Sequence, residues 1–520
     1  MSENRETGGR QRRMIAGMDL DHAACYRALV TRDARFDGRL FVTVKTTGIY
    51  CRPICPARTP KAANVVFFAS AAGAQAAGFR PCLRCRPETA PDLAAWRGTS
   101  NTVSRALALI EAGALDGVDV EALADRLGVG ERQLRRLFRQ HLGASPTAVA
   151  QTRRVLLAKQ LIHQTRLPMT EVALAAGFGS VRRFNETFQQ LYDRPPASLR
   201  RTQGEARSLE TGGWLAITLP YRPPYDWQGL IGFLAARAIA GVESVSPGRY
   251  ARTIAVGEEK GVLTVEAAAG DRLAVAIRFG RLAALPTIIA RVRRVFDLAA
   301  DPQAIGECLR QDALLAPLVA ARPGLRVPGA WDGFELAVRA ILGQQISVAA
   351  ATALAGRLVR EFGEVLPTEL AGAVPGLTHV FPSARRLAGA DLSLLPMPRA
   401  RIAALSSLAG AVEADPAIFG PRRSLAEAIA RLKSLPGIGE WTAQYIAMRE
   451  LREPDAFPAA DVGLMRALAG PDGRRPTPAE LLARAEPWRP WRAYAALHLW
   501  AAPALPSRLQ PEMPDDRQAA

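Results

Sequence analysis

The stretch that most restricts the fold of this chain is Leu-Pro-Gly-Ile-Gly at 435–439. Before it, residues 424–433 place Leu425, Ala428, Ile429 and Leu432 at the spacing of a helix with one apolar face. After it, Trp441, Tyr445 and Met448 recur at the same period. Gly437 and Gly439 permit a tight reversal between the two helices, and amides left free at a helix start receive phosphate oxygens. Helix, glycine turn, helix is therefore a clamp for a nucleic-acid backbone.

Asp461 follows the clamp, after Phe457-Pro458-Ala459-Ala460. A carboxylate there could face a sugar whose glycosidic bond is being cut, stabilising positive charge on the ring or directing water onto it. The plainer alternative makes 435–439 an ordinary turn and Asp461 a helix N-cap. Trp441, Tyr445 and Trp500 offer flat faces for an unstacked base, or else simply fill a core.

Several segments carry a family resemblance. Residues 435–442 followed by Asp461 resemble the helix-hairpin-helix signature of DNA glycosylases. Arg-Ala-Ile-Leu-Gly-Gln-Gln-Ile-Ser at 339–347, Tyr-Asp-Trp at 225–227, Phe-Leu-Ala-Ala-Arg-Ala at 233–238 and Trp-Arg-Pro-Trp-Arg at 488–492, on through Trp500, resemble the 3-methyladenine DNA glycosylase II, or AlkA-type, family. The resemblance spans about 215–505. It implies that Asp461 is the catalytic acid, that Trp441, Tyr445, Trp500 and Phe233 line the base pocket, and that Gln344, Gln345, Gly437 and Gly439 meet DNA. Gln345 stands where that family commonly has an apolar wedge. No lysine accompanies the clamp helix in the place where glycosylases with a lysine nucleophile carry it, since Glu440 precedes Trp441 and Gln444 follows, so a monofunctional enzyme that leaves an abasic site is expected. Cationic methylated purines would gain about 0.5 to 2 kcal/mol of cation–π attraction on such rings.

The chain has 520 residues, room for three or four domains, and its formal charge of +18 favours a polyanionic partner. Residues 1–13 are charged and lack an apolar run, and no stretch is long and uncharged enough to span a membrane. A soluble cytoplasmic protein with no membrane partner is expected. Four of six cysteines fall in two close pairs, Cys51 with Cys55 and Cys82 with Cys85. In a reducing compartment that spacing presents four thiolates to one zinc ion, while Cys25 and Cys308 stand alone.

Thr-Gly-Ile-Tyr-Cys-Arg-Pro at 47–53 and Gly-Phe-Arg-Pro-Cys at 78–82 resemble the amino-terminal domain of the Ada family of alkylation-response proteins. The resemblance implies that Cys51 takes a methyl group from a DNA methylphosphotriester irreversibly. Four thiolates on Zn²⁺ carry a formal charge of minus two; converting one to a thioether halves that charge, relieves repulsion of DNA and raises affinity. Arg52, Arg58, Lys61, Arg80, Arg84 and Arg86 lie near the metal in sequence and are expected to hold phosphates. The alternative is a purely structural zinc. The Pro-Cys-His-Arg sequence of the second Ada repair domain is absent, so transfer from O6-methylguanine is not expected.

Residues 120–138 and 169–191 each read as helix, Gly-containing turn, helix, joined by a long helix over 146–164. The pair resembles the AraC-family DNA-binding domain. Arg132, Gln133, Arg135 and Arg136 in the first unit, and Ser180, Arg182, Arg183 and Asn185 in the second, are placed to face the major groove; a packing module with solvated arginines is the alternative. A polar linker is expected at 200–211, then an antiparallel sheet with strands near 214–219, 252–256, 262–267 and 273–279, then helix after helix from 337 to 505, and a Pro-rich tail.

The expected architecture is multidomain and mainly α: a zinc-binding α/β domain at 15–98, an all-α double helix-turn-helix domain at 99–203, an α+β domain at 212–325 and an all-α helix-hairpin-helix domain at 326–507. The expected function is repair of, and response to, alkylated DNA, with double-stranded DNA as partner and RNA polymerase as a further one, in a bacterial monomer at the nucleoid. A transcriptional regulator with a non-catalytic glycosylase-like domain is the alternative.

Overall fold

The computed structural model describes residues 22–91, 101–200, 213–422, 424–470 and 472–502. The tail after Pro506 and the linker at 200–211, apart from Arg200, lie outside them.

The amino-terminal sheet has the order β3-β1-β2-β4, with β1 Phe41–Val44, β2 Ile49–Cys51, β3 Val65–Phe68 and β4 Arg80–Pro81. Only β2 and β4 run parallel, pairing Ile49 with Arg80 and Tyr50 with Pro81. The next step of that ladder, Cys82 N–H to the Tyr50 carbonyl at 3.0 Å, sets Cys82 beside Cys51. Local pairing thus joins cysteines 31 residues apart in the chain.

The two helix-turn-helix units form as expected: Val120–Arg126 with Glu131–Leu142, and Met169–Ala175 with Val181–Tyr192. Leu134, Phe138 and Leu142 in one second helix, and Phe184, Phe188 and Tyr192 in the other, recur every fourth residue and are buried, leaving the charged faces outward. Between the units runs Pro146–Gln164, capped by Ser145 accepting from the Ala148 amide.

The second sheet is β5-β9-β8-β7-β6, antiparallel throughout: Leu215–Pro220, Glu243–Ser246, Arg249–Val256, Glu259–Ala268 and Arg272–Phe279 for β5 to β9 in sequence order. It has one strand more than expected, because Glu-Ser-Val-Ser in β6 lacks a β-branched run and gains its pairing from β7. After β9 the helices begin at Leu285–Val295, well before the expected 337, continue through Pro302–Leu309, Leu315–Ala321 and Gly333–Leu342, and are interrupted by the short pair β10 Glu364–Val365 and β11 His379–Val380. Between these strands Gly372 and Gly376 adopt φ of +75° and +85°, which helical residues do not. This excursion lays Leu366, Leu370, Val374 and Leu377 over Ala251 and Val262 of the second sheet.

One hydrophobic core is shared by the second helix-turn-helix unit and the second sheet. Phe184 and Phe188 of the second helix-turn-helix unit, with Leu199 just after it, share a core with Leu215, Ile217 and Leu219 of β5. Gln160 donates to the Thr218 carbonyl at 2.9 Å, and the fully buried Lys159 pairs with Glu88 at 2.9 Å while donating to the Cys82 carbonyl at 3.0 Å. The middle helix is therefore a spine between the cysteine-bearing sheet and the second sheet. A buried Arg105–Glu453 ion pair ties the helix Asn101–Glu111 to the carboxy-terminal helices.

Candidate active site and metal centre

The helix Leu425–Lys433 is capped by Ser424, which accepts from the Glu427 amide, and the turn delivers the chain to Glu440–Arg449. Gly437 has φ +80°, and a Cβ there would come within 2.4 Å of the Ala404 methyl, so this position requires glycine on two counts. The second helix opens at Gly439 with no side-chain cap, which leaves its first amides for an external acceptor. Gln344 is committed locally: its side-chain Nε2 donates to the Gly437 carbonyl at 2.9 Å and Arg401 donates to its main-chain carbonyl at 2.7 Å. The first bond pins the loop at 343–347 to the turn and the second pins it to the helix Arg399–Ala414. The neighbouring Gln345 is exposed and left-handed, with φ +60°.

A cleft of about 690 Å³ brings together Phe233, Trp441, Tyr445, Asp461 and Trp500. Asp461 starts the helix Val462–Ala467, and its Oδ1 accepts the Leu464 amide at 2.9 Å, so it is an N-cap. It is also more than that. Trp441 Nε1 donates to Oδ2 and Trp500 Nε1 to Oδ1, each at 2.8 Å. Three N–H groups from separate directions fix one carboxylate against aromatic rings. Gly463 makes room for this: a Cβ would stand 2.9 Å from Asp461 Oδ1 and 3.4 Å from Trp500 Cδ1.

The aromatic lining is a ladder. Trp441 and Tyr445, one turn apart, stack with centroids 5.0 Å apart and planes 11° from parallel. The Arg449 guanidinium lies 5.2 Å from the Tyr445 ring centroid and 4.9 Å from that of Phe233, and Arg237 lies 3.8 Å from Phe233. Phe233 thus already stacks with guanidinium groups. Neither arginine was among the expected pocket residues; the signal was their position four residues after Tyr445 and Phe233. Arg252 and Arg339 clamp the buried Glu335 at 2.7 and 2.5 Å, and Arg339 also holds Glu243. Burial raises the Glu335 pKa, but the two guanidinium groups outweigh it and bring it to about 2.

In the amino-terminal sheet the Sγ atoms of Cys51, Cys55, Cys82 and Cys85 all lie within 4.8 Å of one another, and none is in a disulfide. A tetrahedron with about 2.3 Å metal–sulfur bonds has edges of about 3.8 Å, so the cluster fits one zinc ion. The Arg52 and Arg84 amides donate to the Cys85 and Cys82 sulfurs, each at 3.3 Å, as they would to thiolates. This is a zinc site built from four cysteines. Cys51 is half-buried and the other three are buried.

Of the expected phosphate-holding residues, two are spent elsewhere. Arg52 is buried, bound to Asp37 and to Thr89 Oγ1, because its backbone sits inside the cysteine cluster and its side chain must find partners there. Arg86 turns to the buried Glu88 at 3.2 Å. Arg58, Lys61 and Arg84 are exposed and Arg80 is half-buried. On the recognition-type helices Arg132, Gln133, Arg136, Arg182, Arg183 and Asn185 are exposed; Arg135 pairs with Glu131, and Arg182 with Glu186, one turn along.

Known families match in the same order as these sites. Residues 24–88 match the metal binding domain of Ada, 123–202 a helix-turn-helix domain and 216–332 the AlkA N-terminal domain. A bifunctional transcriptional activator/DNA repair enzyme AlkA of Mycobacterium tuberculosis is 42% identical over 486 residues, 92% of this chain and 96% of the relative. DNA-3-methyladenine glycosylase 2 of Escherichia coli is 40% identical over 290 residues, 54% of this chain and 96% of the relative. The bifunctional transcriptional activator/DNA repair enzyme Ada of E. coli is 37% identical over 153 residues, 29% of this chain and 42% of the relative. With the zinc cluster, the paired helix-turn-helix units and the aspartate-bearing cleft in one polypeptide, the chain belongs to the family of bifunctional transcriptional activator/DNA repair enzymes of the AlkA type.

Proposed function

We propose that this protein removes alkylated purines of the 3-methyladenine type from DNA, takes methyl groups from DNA phosphotriesters onto Cys51, and carries the second event to transcription. The proposal divides the chain at 15–98, 99–203, 212–325 and 326–507. The observation that carries the repair reading is the Asp461 carboxylate held by two indole N–H groups inside an aromatic cleft, next to the Gly437–Gly439 turn.

In this reading the turn and the helix start at Gly439 hold the DNA backbone, Gln345 enters the space left by the everted nucleotide, and Trp441 and Tyr445 receive the base. Asp461 faces the deoxyribose. As the C1′–N bond breaks, both electrons pass to the base, cancelling the charge of a cationic purine; Asp461 stabilises the sugar cation until water adds at C1′. The lysines of this chain are Lys45, Lys61, Lys159, Lys260 and Lys433, and none lines the cleft, which supports hydrolysis without a Schiff base. Base release should leave an intact strand with an abasic site and no borohydride-trapped protein–DNA adduct. A trapped adduct refutes the monofunctional reading.

At the other site, Cys51, Cys55, Cys82 and Cys85 would hold zinc, which when bound would keep their thiols deprotonated at neutral pH. Cys51 Sγ attacks the phosphotriester methyl carbon, forming C–S as C–O breaks and the phosphodiester leaves as an anion. The product is a thioether, so each chain reacts once. Its greater exposure among the four cysteines supports Cys51 as the acceptor. The lost charge would strengthen DNA binding through the exposed faces of Glu131–Leu142 and Val181–Tyr192, which would present the complex to RNA polymerase. We propose that the protein acts as a monomer in the cytoplasm; no helix among the described residues is long and apolar enough to cross a membrane.

A further inference from the structure

We infer that methylation of Cys51 slows base release in the cleft, through a relay of ion pairs and hydrogen bonds that joins the cysteine cluster to the helix carrying Trp500. The inference rests on both readings proposed above and adds to them that one site regulates the other.

The relay starts at Arg52, the residue after Cys51. Its amide donates to the Cys85 sulfur and its Nη1 to the Cys85 carbonyl, each at 3.3 Å, while its Nε donates to Asp37 Oδ1 at 2.8 Å. One residue therefore ties the segment at 37–39 to the cysteine cluster. That segment lies against the glycosylase half of the chain. Gly38 has φ +73°, and a Cβ there would meet the Pro91 carbonyl oxygen at 2.2 Å and Arg222 Nη2 at 3.1 Å. The next residue, Arg39, forms an ion pair with Asp301. Asp301 is buried and caps the helix Pro302–Leu309, accepting the Ala304 amide at 3.2 Å.

From Asp301 the path is carried by Arg326. This buried guanidinium donates to the Ala300 carbonyl at 3.0 Å and the Asp297 carbonyl at 3.3 Å on one side, and to the Arg222 and Pro224 carbonyls on the other. It lines the cleft, 4.7 Å from the Tyr225 ring centroid. The two stretches that the amino-terminal domain touches, at 222 and 301, are thus the two that Arg326 holds together. Asp297 continues the path, because its Oδ2 accepts the Tyr494 hydroxyl at 2.8 Å. Tyr494 lies on the helix Arg492–Ala501, whose Trp500 donates to Asp461.

Cys51 gives this relay two discrete states. As thiolates, the four sulfurs attract the Arg52 guanidinium and hold it between the cluster and Asp37. The thioether removes one negative charge and adds a methyl group at a half-buried position, so that hold weakens. The Arg39–Asp301 pair then loses its fixed anchor, and the stretches braced by Arg326 gain freedom. The Trp500 donor meets Asp461 in the required geometry for a smaller fraction of the time, which slows bond cleavage. A chain that has taken its methyl group thereby passes from base repair toward DNA binding.

For the test, protein is methylated to completion with excess methylphosphotriester duplex, freed of it at high salt, and checked by mass for one added methyl group per chain. Single-turnover release of 7-methylguanine is then measured with protein in saturating excess, so that tighter DNA binding does not enter the rate. Methylated wild type should release base about fivefold more slowly than unmethylated protein, the low end of coupling between sites. It should also exchange the Ala304 amide with solvent faster. Arg39→Met, and Asp301→Asn, which keeps an N-cap acceptor, should each give the same rate in both states, whereas Arg39→Lys should retain the difference. A merely structural role for these residues would slow both states alike and preserve their ratio. Equal or faster release by methylated wild type overturns the inference, as does a difference that survives in a folded Arg39→Met or Asp301→Asn. Absence of the mass gain refutes the acceptor reading, and absence of release from unmethylated protein refutes the glycosylase reading, each taking this inference with it.

Discussion

Trp500 Nε1 donates to Asp461 Oδ1 at 2.8 Å, across 39 residues of chain. The indole helps orient the carboxylate while its ring lines the cleft. Trp500→Phe keeps an aromatic face and removes the donor, and should slow release of 7-methylguanine by about tenfold, the scale of one hydrogen bond to a charged group. Gly463→Ala should act on the same contact by crowding Asp461 Oδ1. Single-turnover rates measure both; wild-type rates in both variants would show that the orientation of the carboxylate is immaterial.

Removing the metal should loosen the amino-terminal sheet, because Cys51, Cys55, Cys82 and Cys85 form the centre of their own small cluster. Metal analysis should give one zinc per chain, and cobalt in its place should show tetrahedral thiolate absorption. Cys51→Ser should retain a weakened metal site and lose methyl transfer from phosphotriester DNA. Transfer that survives this substitution would move the acceptor elsewhere and leave the zinc structural.

The Arg105–Glu453 pair joins the first part of the chain to the carboxy-terminal helices, with side chains only 8% and 7% exposed. Arg105→Ala leaves a buried carboxylate without its partner and should destabilise the protein by about 3 kcal/mol. Replacing both members with apolar residues, Arg105→Met with Glu453→Leu, should recover much of that loss. Thermal or denaturant unfolding reads the difference, and a double variant less stable than the single one contradicts it.

Glu335 gives an acid-side pH dependence. Its pKa in the folded protein, about 2, lies below the ordinary glutamate value, because Arg252 and Arg339 outweigh the cost of burial. The stabilisation is therefore complete above the unfolded pKa of about 4.3 and fades as pH falls toward 2. Unfolding free energies measured across that window should show a smaller slope for Glu335→Gln than for wild type. Equal slopes would mean that the carboxylate titrates alike in both states.

Much of this was legible in the sequence where the signal is local. The glycine turn, the two cysteine pairs and the doubled helix-turn-helix pattern each sit within a few dozen residues and impose their geometry directly. Asp461 was legible both as an N-cap and as a carboxylate facing a cleft, and the structure gives it the N-cap bond together with two indole donors. What was not legible depends on distant partners. Arg52 reads as a free cation until Asp37 and Thr89 are folded against it. Strand β6 pairs because of β7 rather than its own composition. The order Trp441, Tyr445, Arg449, Phe233, Arg237 joins two segments more than 200 residues apart, and no window along the chain contains it.

The most direct test uses DNA carrying radiolabelled methyl groups on both bases and phosphates, with label on protein and label released as free base counted in one tube. Wild type should show both. Asp461→Asn should lose base release by about 100-fold or more and still label Cys51, whereas Cys51→Ser should release base and remain unlabelled. Base release by Asp461→Asn at the wild-type rate would contradict the account at its centre.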